Sequence, residues 1–219
     1  MPKKKTSVQA EDDFSAYPHE HNPDPKNFTE LILTKSSQTF HILSTSGPNS
    51  HPLHAVTVET AFTFNPTLTL HSDPTQASTP VGIVKLGFWR KHNVGYCVGE
   101  GREMEWLKVV RVSMLNLKKF EFEYEGRVYV WTTVKAGHYG ERPDMELREK
   151  GEGEQSLLAF YKGERRIGKM KTGRGVFFLR GKPWSDAGEM EFRKWELVVL
   201  LTGLADVEVA AREAGRHPH

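Results

Sequence analysis

The chain has 219 residues, which suits one large barrel or sandwich or two small domains, and a chain of that length buries around 70% of its unfolded surface without needing a disulfide or a metal. Its 30 Lys+Arg against 28 Asp+Glu leave a net charge of +2, so the total makes no case for a nucleic-acid partner. One cysteine, Cys97, excludes an internal disulfide framework and suits a reducing compartment.

Residues 1–27 are polar, carry Pro18, Pro23 and Pro25, and lack apolar periodicity, which predicts a disordered tail. The opening "MPKKKTSVQAEDD" has charge but no apolar run behind it, so neither a signal peptide nor an anchor is expected. A cytoplasmic protein follows, with Lys3–Lys5 leaving nuclear entry open.

From Thr29 onward the apolar period is two. "ELILTKS" and "TFHILS" are split by Ser36-Ser37-Gln38, and "HAVTVET" and "TLTLHSD" by Asn65-Pro66. "PVGIVKLGFW" runs toward an expected turn at Arg90-Lys91-His92-Asn93, "VGYCVG" returns, and "EWLKVVRV" follows. In "KKFEFEYEGRVYVWTTV" the pair Glu125-Gly126 is a two-residue hairpin turn, since Gly tolerates the positive φ such turns require. That turn pairs Tyr124 with Arg127, Phe122 with Tyr129 and Phe120 with Trp131, all on one aromatic face. "DMELREK", "SLLAFYKG", "RIGKMKTG" and "GVFFLRG" complete roughly twelve strand-like segments, none alternating with a helical pattern. An antiparallel sandwich or closed barrel is expected, with one domain over about 28–214.

The only helix expected spans about 190–213. Leu197 to Ala205 within it is apolar or nearly so at nine successive positions, bracketed by Glu196 and Asp206. A bilayer crossing takes roughly 20 apolar residues, so the run is too short to span. A helix on a protein surface keeps a polar face, and this one has none in its middle. Its natural place is inside a closed wall: eight strands are filled by their own side chains, but about twelve leave room for a helix about 10 Å across. The predicted fold is a mainly β, closed antiparallel barrel of about twelve strands around the C-terminal helix.

Chemical motifs are few. The chain has no G-x-S-x-G, H-E-x-x-H or P-loop pattern. His19 with His21 and His217 with His219 lie near the termini without Cys or carboxylate partners at ligand spacing. His51, His54 and His71 fall in strand-and-turn regions and read as ordinary surface or core residues, and Cys97 as a buried strand thiol. No enzymatic activity, cofactor or metal is expected. The aromatic ladder resembles a base-stacking surface in composition, but a barrel filled by a helix needs it facing inward, so no nucleic acid is expected.

Charge distribution carries more than the total. Residues 162–182 hold eight bases and one acid, whereas residues 141–154 hold six acids and three bases. Arg165, Arg166, Lys169, Lys171 and Arg174 form one candidate cluster, in which Lys169 and Lys171 share a face of "RIGKMKTG". Two ammonium groups about 7 Å apart can hold a phosphorylated headgroup, with Arg adding bidentate contacts. Arg90 and Lys91 at the expected turn, with Lys118 and Lys119, form a second candidate. The competing reading is that both clusters solvate the wall and protect strand edges.

The strand order, the "F-x-F-x-Y-x-G-x-x-Y-x-W" pattern of Phe120, Phe122, Tyr124, Gly126, Tyr129 and Trp131, and the terminal "WELVVLLTGLADVEVA" resemble the tubby C-terminal domain. The resemblance covers about residues 29–213 and extends to the LURP-one-related proteins and phospholipid scramblases, nearest their compact, often fungal members. It implies a barrel that binds phosphoinositides at a membrane through wall lysines and arginines, and the expectation is a non-enzymatic monomer, peripheral at membranes, that binds phosphoinositide or other anionic lipid headgroups. The cysteine-rich and spanning segments that scramblases carry have no counterpart here. Alternative expectations are a carrier of an apolar small molecule within the barrel and a protein-interaction scaffold.

Overall fold

The alternating segments become strands because each buries one row of side chains and leaves the next row outside. In a computed structural model that describes residues 28–37, 39–59, 66–87, 91–99, 103–112, 119–135, 144–151, 157–163, 166–167, 170–171, 174–180 and 188–215, twelve of them close into one antiparallel barrel. In chain order they are β1 (Phe28–Lys35), β2 (Phe40–Thr45), β3 (Pro52–Glu59), β4 (Thr67–His71), β5 (Pro80–Leu86), β6 (Lys91–Tyr96), β7 (Glu105–Arg111), β8 (Lys119–Tyr124), β9 (Arg127–Lys135), β10 (Asp144–Glu149), β11 (Leu157–Lys162) and β14 (Arg174–Arg180). Each pairs with its chain neighbour, and β14 closes the ring against β1 and β11. β12 (Arg166–Ile167) and β13 (Met170–Lys171) form a separate two-stranded ladder.

The expected hairpin is present in its expected register, with Phe120 opposite Trp131, Phe122 opposite Tyr129 and Tyr124 opposite Arg127. Glu125 and Gly126 take positive φ at 51° and 72°, as a turn matching strand twist requires. Phe120, Phe122, Tyr129 and Trp131 are all buried, so the ladder faces the lumen and offers nothing to a base.

The lumen is occupied by α1 (Glu189–Gly215). Gly188 opens it: its N–H donates to Glu191 Oε2 at 3.0 Å, and its carbonyl accepts the Phe192 N–H at 3.0 Å. The first of these satisfies a donor that the helix start would leave unpaired, and the second is the first bond of the helical ladder. From Val198 to Val207 every residue is buried, which accounts for a segment without a polar face. Trp195 packs at a tilt against Tyr129 and Tyr124, with ring centroids 4.7 Å and 5.6 Å away. Gly203 lets the wall come close: a methyl group there would stand 2.7 Å from Phe177 Cε1 and 3.0 Å from Trp131 Cζ2.

Three local expectations are corrected. Lys91, His92 and Asn93 lie in β6, not in a turn, because His92 points inward opposite Leu86 and is 3% exposed. "RIGKMKTG" is no wall strand: Arg166 pairs with Lys171 and Ile167 with Met170, so the chain reverses between them. Lys171 therefore stands in this ladder and not on a strand of the barrel, and Lys169 lies outside the described residues. Cys97 falls just past β6 and is half-buried, its thiol donating to the Gly99 carbonyl at 3.5 Å. Residues 1–27 lie outside the described residues.

Candidate functional site

Closure brings distant segments to common rims. At the rim where β1 ends and β14 begins, the twelve strand-terminal residues include seven cations: Lys35, Lys91, Arg111, Lys119, Lys135, Lys162 and Arg174. Only Glu59 and Asp144 oppose them in sign, and Asp144 is buried with its Oδ1 accepting the Gly163 N–H at 2.8 Å. The opposite rim ends in two acids, Glu105 and Glu149, and two bases, Arg127 and Arg180. One end of the barrel is thus basic and the other balanced.

The helix is oriented along this axis. Near its start Lys194 pairs with Glu105 at 2.5 Å, at the balanced rim, so its C-terminal end emerges at the basic one. A helix C-terminus carries roughly half a negative charge. That offsets about half of one cation at the rim.

Pairing differs in the same way. Arg127 meets Glu149 at 3.3 Å and Lys150 meets Glu121 at 2.9 Å, so cations toward the balanced end are held by carboxylates. Lys35, Lys91 and Lys119 on the basic rim are exposed and form no ion pair among the described residues. Unpaired ammonium groups on a rigid edge are available to an external anion.

Of the residues singled out from sequence, Lys91 and Lys119 occupy this rim with described side chains. Arg174 begins β14 there, and Arg166 and Lys171 pair in the ladder between β11 and β14, whose flanking strand ends also lie on it. Arg90, Lys118, Arg165 and Lys169 lie outside the described residues. The described members of the two sequence clusters are therefore neighbours of a single rim. Sequence reading left Lys35, Arg111, Lys135 and Lys162 out of its clusters: Lys162 belongs to the basic stretch 162–182, and the other three are brought to the rim only by closure.

Beneath the rim sits a second polar group. His92 on β6 and Arg111 on β7 both approach Phe120, with ring centroids 5.8 Å apart for His92 and the guanidinium carbon 5.6 Å from the ring centre. Asp206 on the helix is 1% exposed, and neither carboxyl oxygen has a hydrogen-bond partner among the described residues. Burial drives its pKa well above the usual carboxylate range, against the attraction of Arg111. Burial, reinforced by Arg111, also lowers His92 to about 4. At neutral pH the His92 imidazole is therefore neutral, and burial favours the protonated form of the Asp206 acid.

Two further histidines are bonded within the wall. His71 is buried with Nε2 3.0 Å from Thr57 Oγ1 and Nδ1 3.1 Å from the Ser78 carbonyl, and His54 Nδ1 lies 2.8 Å from the His71 carbonyl. Among the described residues no group of His, Cys, Asp and Glu is arranged to hold a metal ion. No helix among them is long and apolar enough to cross a membrane.

No protein-family model matches the chain, and no curated protein or solved structure matches it. The reading of the rim rests on its own chemistry.

Proposed function

We propose that this protein is a non-enzymatic barrel that binds anionic, phosphorylated lipid headgroups at a membrane surface through its basic rim. The observation that carries this reading is the convergence of seven Lys or Arg residues among twelve strand ends, with Lys35, Lys91 and Lys119 exposed. Such a ring attracts phosphate oxygens from several directions, and each lysine near an anionic leaflet contributes about 1 kcal/mol. The twelve-stranded wall and its enclosed helix support the tubby resemblance at the level of fold, and a fold alone assigns no ligand.

The filled lumen weighs against a carrier of apolar molecules, since ten consecutive buried helix residues stand where the cargo would sit. The test is co-sedimentation with vesicles containing phosphatidylserine or a phosphoinositide. Binding at low salt that falls as salt screens the contacts is expected. Absence of binding at low salt would refute the proposal.

A further inference from the structure

The outer side of β7 has a composition that the barrel does not need. Among the described residues four large apolar side chains are exposed, and three of them, Trp106 at 49%, Val110 at 36% and Val112 at 46%, share the outer face of this strand and the residue after it. They occupy positions i, i+4 and i+6, so they line up along about 20 Å of wall. Trp106 rests on Gly95 of β6, where an added methyl would stand 3.0 Å from the indole ring. Lys85 Nζ lies 4.9 Å from the ring centroid.

Lysines surround the strip. Lys108 shares its face between Trp106 and Val110, Lys91 stands opposite Val110, and the Val112 N–H donates to the Lys119 carbonyl at 3.1 Å. The acids near the strip are Glu105, which starts β7 and is held by Lys194, and on neighbouring β8 Glu121, which is held by Lys150, and Glu123. An indole amid ammonium groups matches the headgroup layer of a bilayer, where Trp sits at the polar–apolar boundary and lysines meet phosphates. Three partly exposed side chains offer far less than the roughly 800 Å² per partner that a stable protein interface takes.

We propose that the β5–β7 wall is an interfacial docking face: the barrel lies on its side on an anionic phospholipid surface, with Trp106, Val110 and Val112 in the headgroup layer and Lys85, Lys91, Lys108 and Lys119 on the phosphates. This rests on the lipid-surface reading and adds an apolar contact and an orientation to it. The electrostatic ring alone would place the basic end against the membrane; the β7 strip places the side there.

The full chain is tested on vesicles of phosphatidylcholine with roughly 30% phosphatidylserine. Trp106→Ala is expected to lower the partition coefficient about tenfold, and Val110→Ser with Val112→Ser by a similar factor, with circular dichroism unchanged. The emission difference between the intact protein and Trp106→Phe should shift to the blue on binding. If both apolar variants bind as the parent does while Lys91→Glu does not, the docking face is refuted and the basic rim stands. If the parent fails to bind these vesicles at low salt, both readings fall. A parent that is dimeric in sedimentation velocity, and that Trp106→Ala renders monomeric, would assign the strip to a second copy and overturn the proposal.

Discussion

Trp131 Nε1 donates a 3.0 Å hydrogen bond to Thr202 Oγ1, tying the middle of β9 to the middle of the enclosed helix. Thr202 in turn donates to the Val199 carbonyl at 3.1 Å, so its hydroxyl is satisfied within a core where it has no exposure. The bond sets the rotation and depth of the helix, which apolar contact alone leaves loosely specified. Thr202→Val should cost about 1–3 kcal/mol by stranding the indole N–H. Combined with Trp131→Phe, the double variant should show coupling of about 1 kcal/mol in urea unfolding; strict additivity would mean that the bond contributes nothing.

Gly203 lies one residue along, where Phe177 and Trp131 of the wall press against the helix. Alanine is favoured over glycine in a helix by about 1 kcal/mol. Here the added methyl meets Phe177 and Trp131, two fully buried rings, and overpacking of a tight core costs about 1–3 kcal/mol. Gly203→Ala should therefore lower stability despite its propensity gain. A stabilised variant would show that the wall yields.

The interior acid and imidazole make stability depend on pH in opposite senses. Asp206 has a raised folded pKa, so the fold holds a proton that the unfolded chain releases above about pH 4. Its contribution is present below that pH and is lost as pH rises through the folded value. His92 has a folded pKa of about 4 against 6.5 when exposed, so its contribution is present above 6.5 and lost as pH falls toward 4. Asp206→Asn should remove the decline that accompanies rising pH, and His92→Gln should soften the loss between 6.5 and 4. Chemical denaturation across the pH range reads both slopes, and a slope unchanged by Asp206→Asn would deny the buried acid its part.

The basic rim predicts a charge effect separable from stability. Lys91 and Lys119 are exposed, so reversing them leaves the core intact. Each removed charge weakens attraction to an anionic leaflet about fivefold, and each reversal by more. The double variant Lys91→Glu with Lys119→Glu should bind vesicles at least 25-fold more weakly, with a shallower salt dependence. Reversing Arg193, which is paired to Glu189 near the other end, should change binding little.

The β8–β9 hairpin was readable from sequence down to its register, because Glu125-Gly126 sets the turn and strict alternation sets the face. The helix was readable because Leu197 to Ala205 leaves no side for water, and its burial by strands follows from twelve short alternating segments with nowhere else to hide their edges. Lys91 was misassigned to a turn because Arg-Lys-His-Asn is polar in sequence, whereas His92 gains an inward site only after β5 and β6 pair. The "RIGKMKTG" ladder misled for a related reason: alternation is visible in sequence, but a reversal of the chain between Ile167 and Met170 is not.

Local periodicity, turn glycines and an all-apolar helix are properties of neighbouring residues, so the sequence alone determined a closed barrel threaded by its last segment. Which residues share a rim depends on closure and on the register of every strand pair at once. Only the tertiary structure could therefore gather Lys35, Lys91, Arg111, Lys119, Lys135, Lys162 and Arg174 at one end. It also aligned Trp106 with Lys85 and Gly95 on one wall, since charge and contact act through space whereas sequence patterns act along the chain.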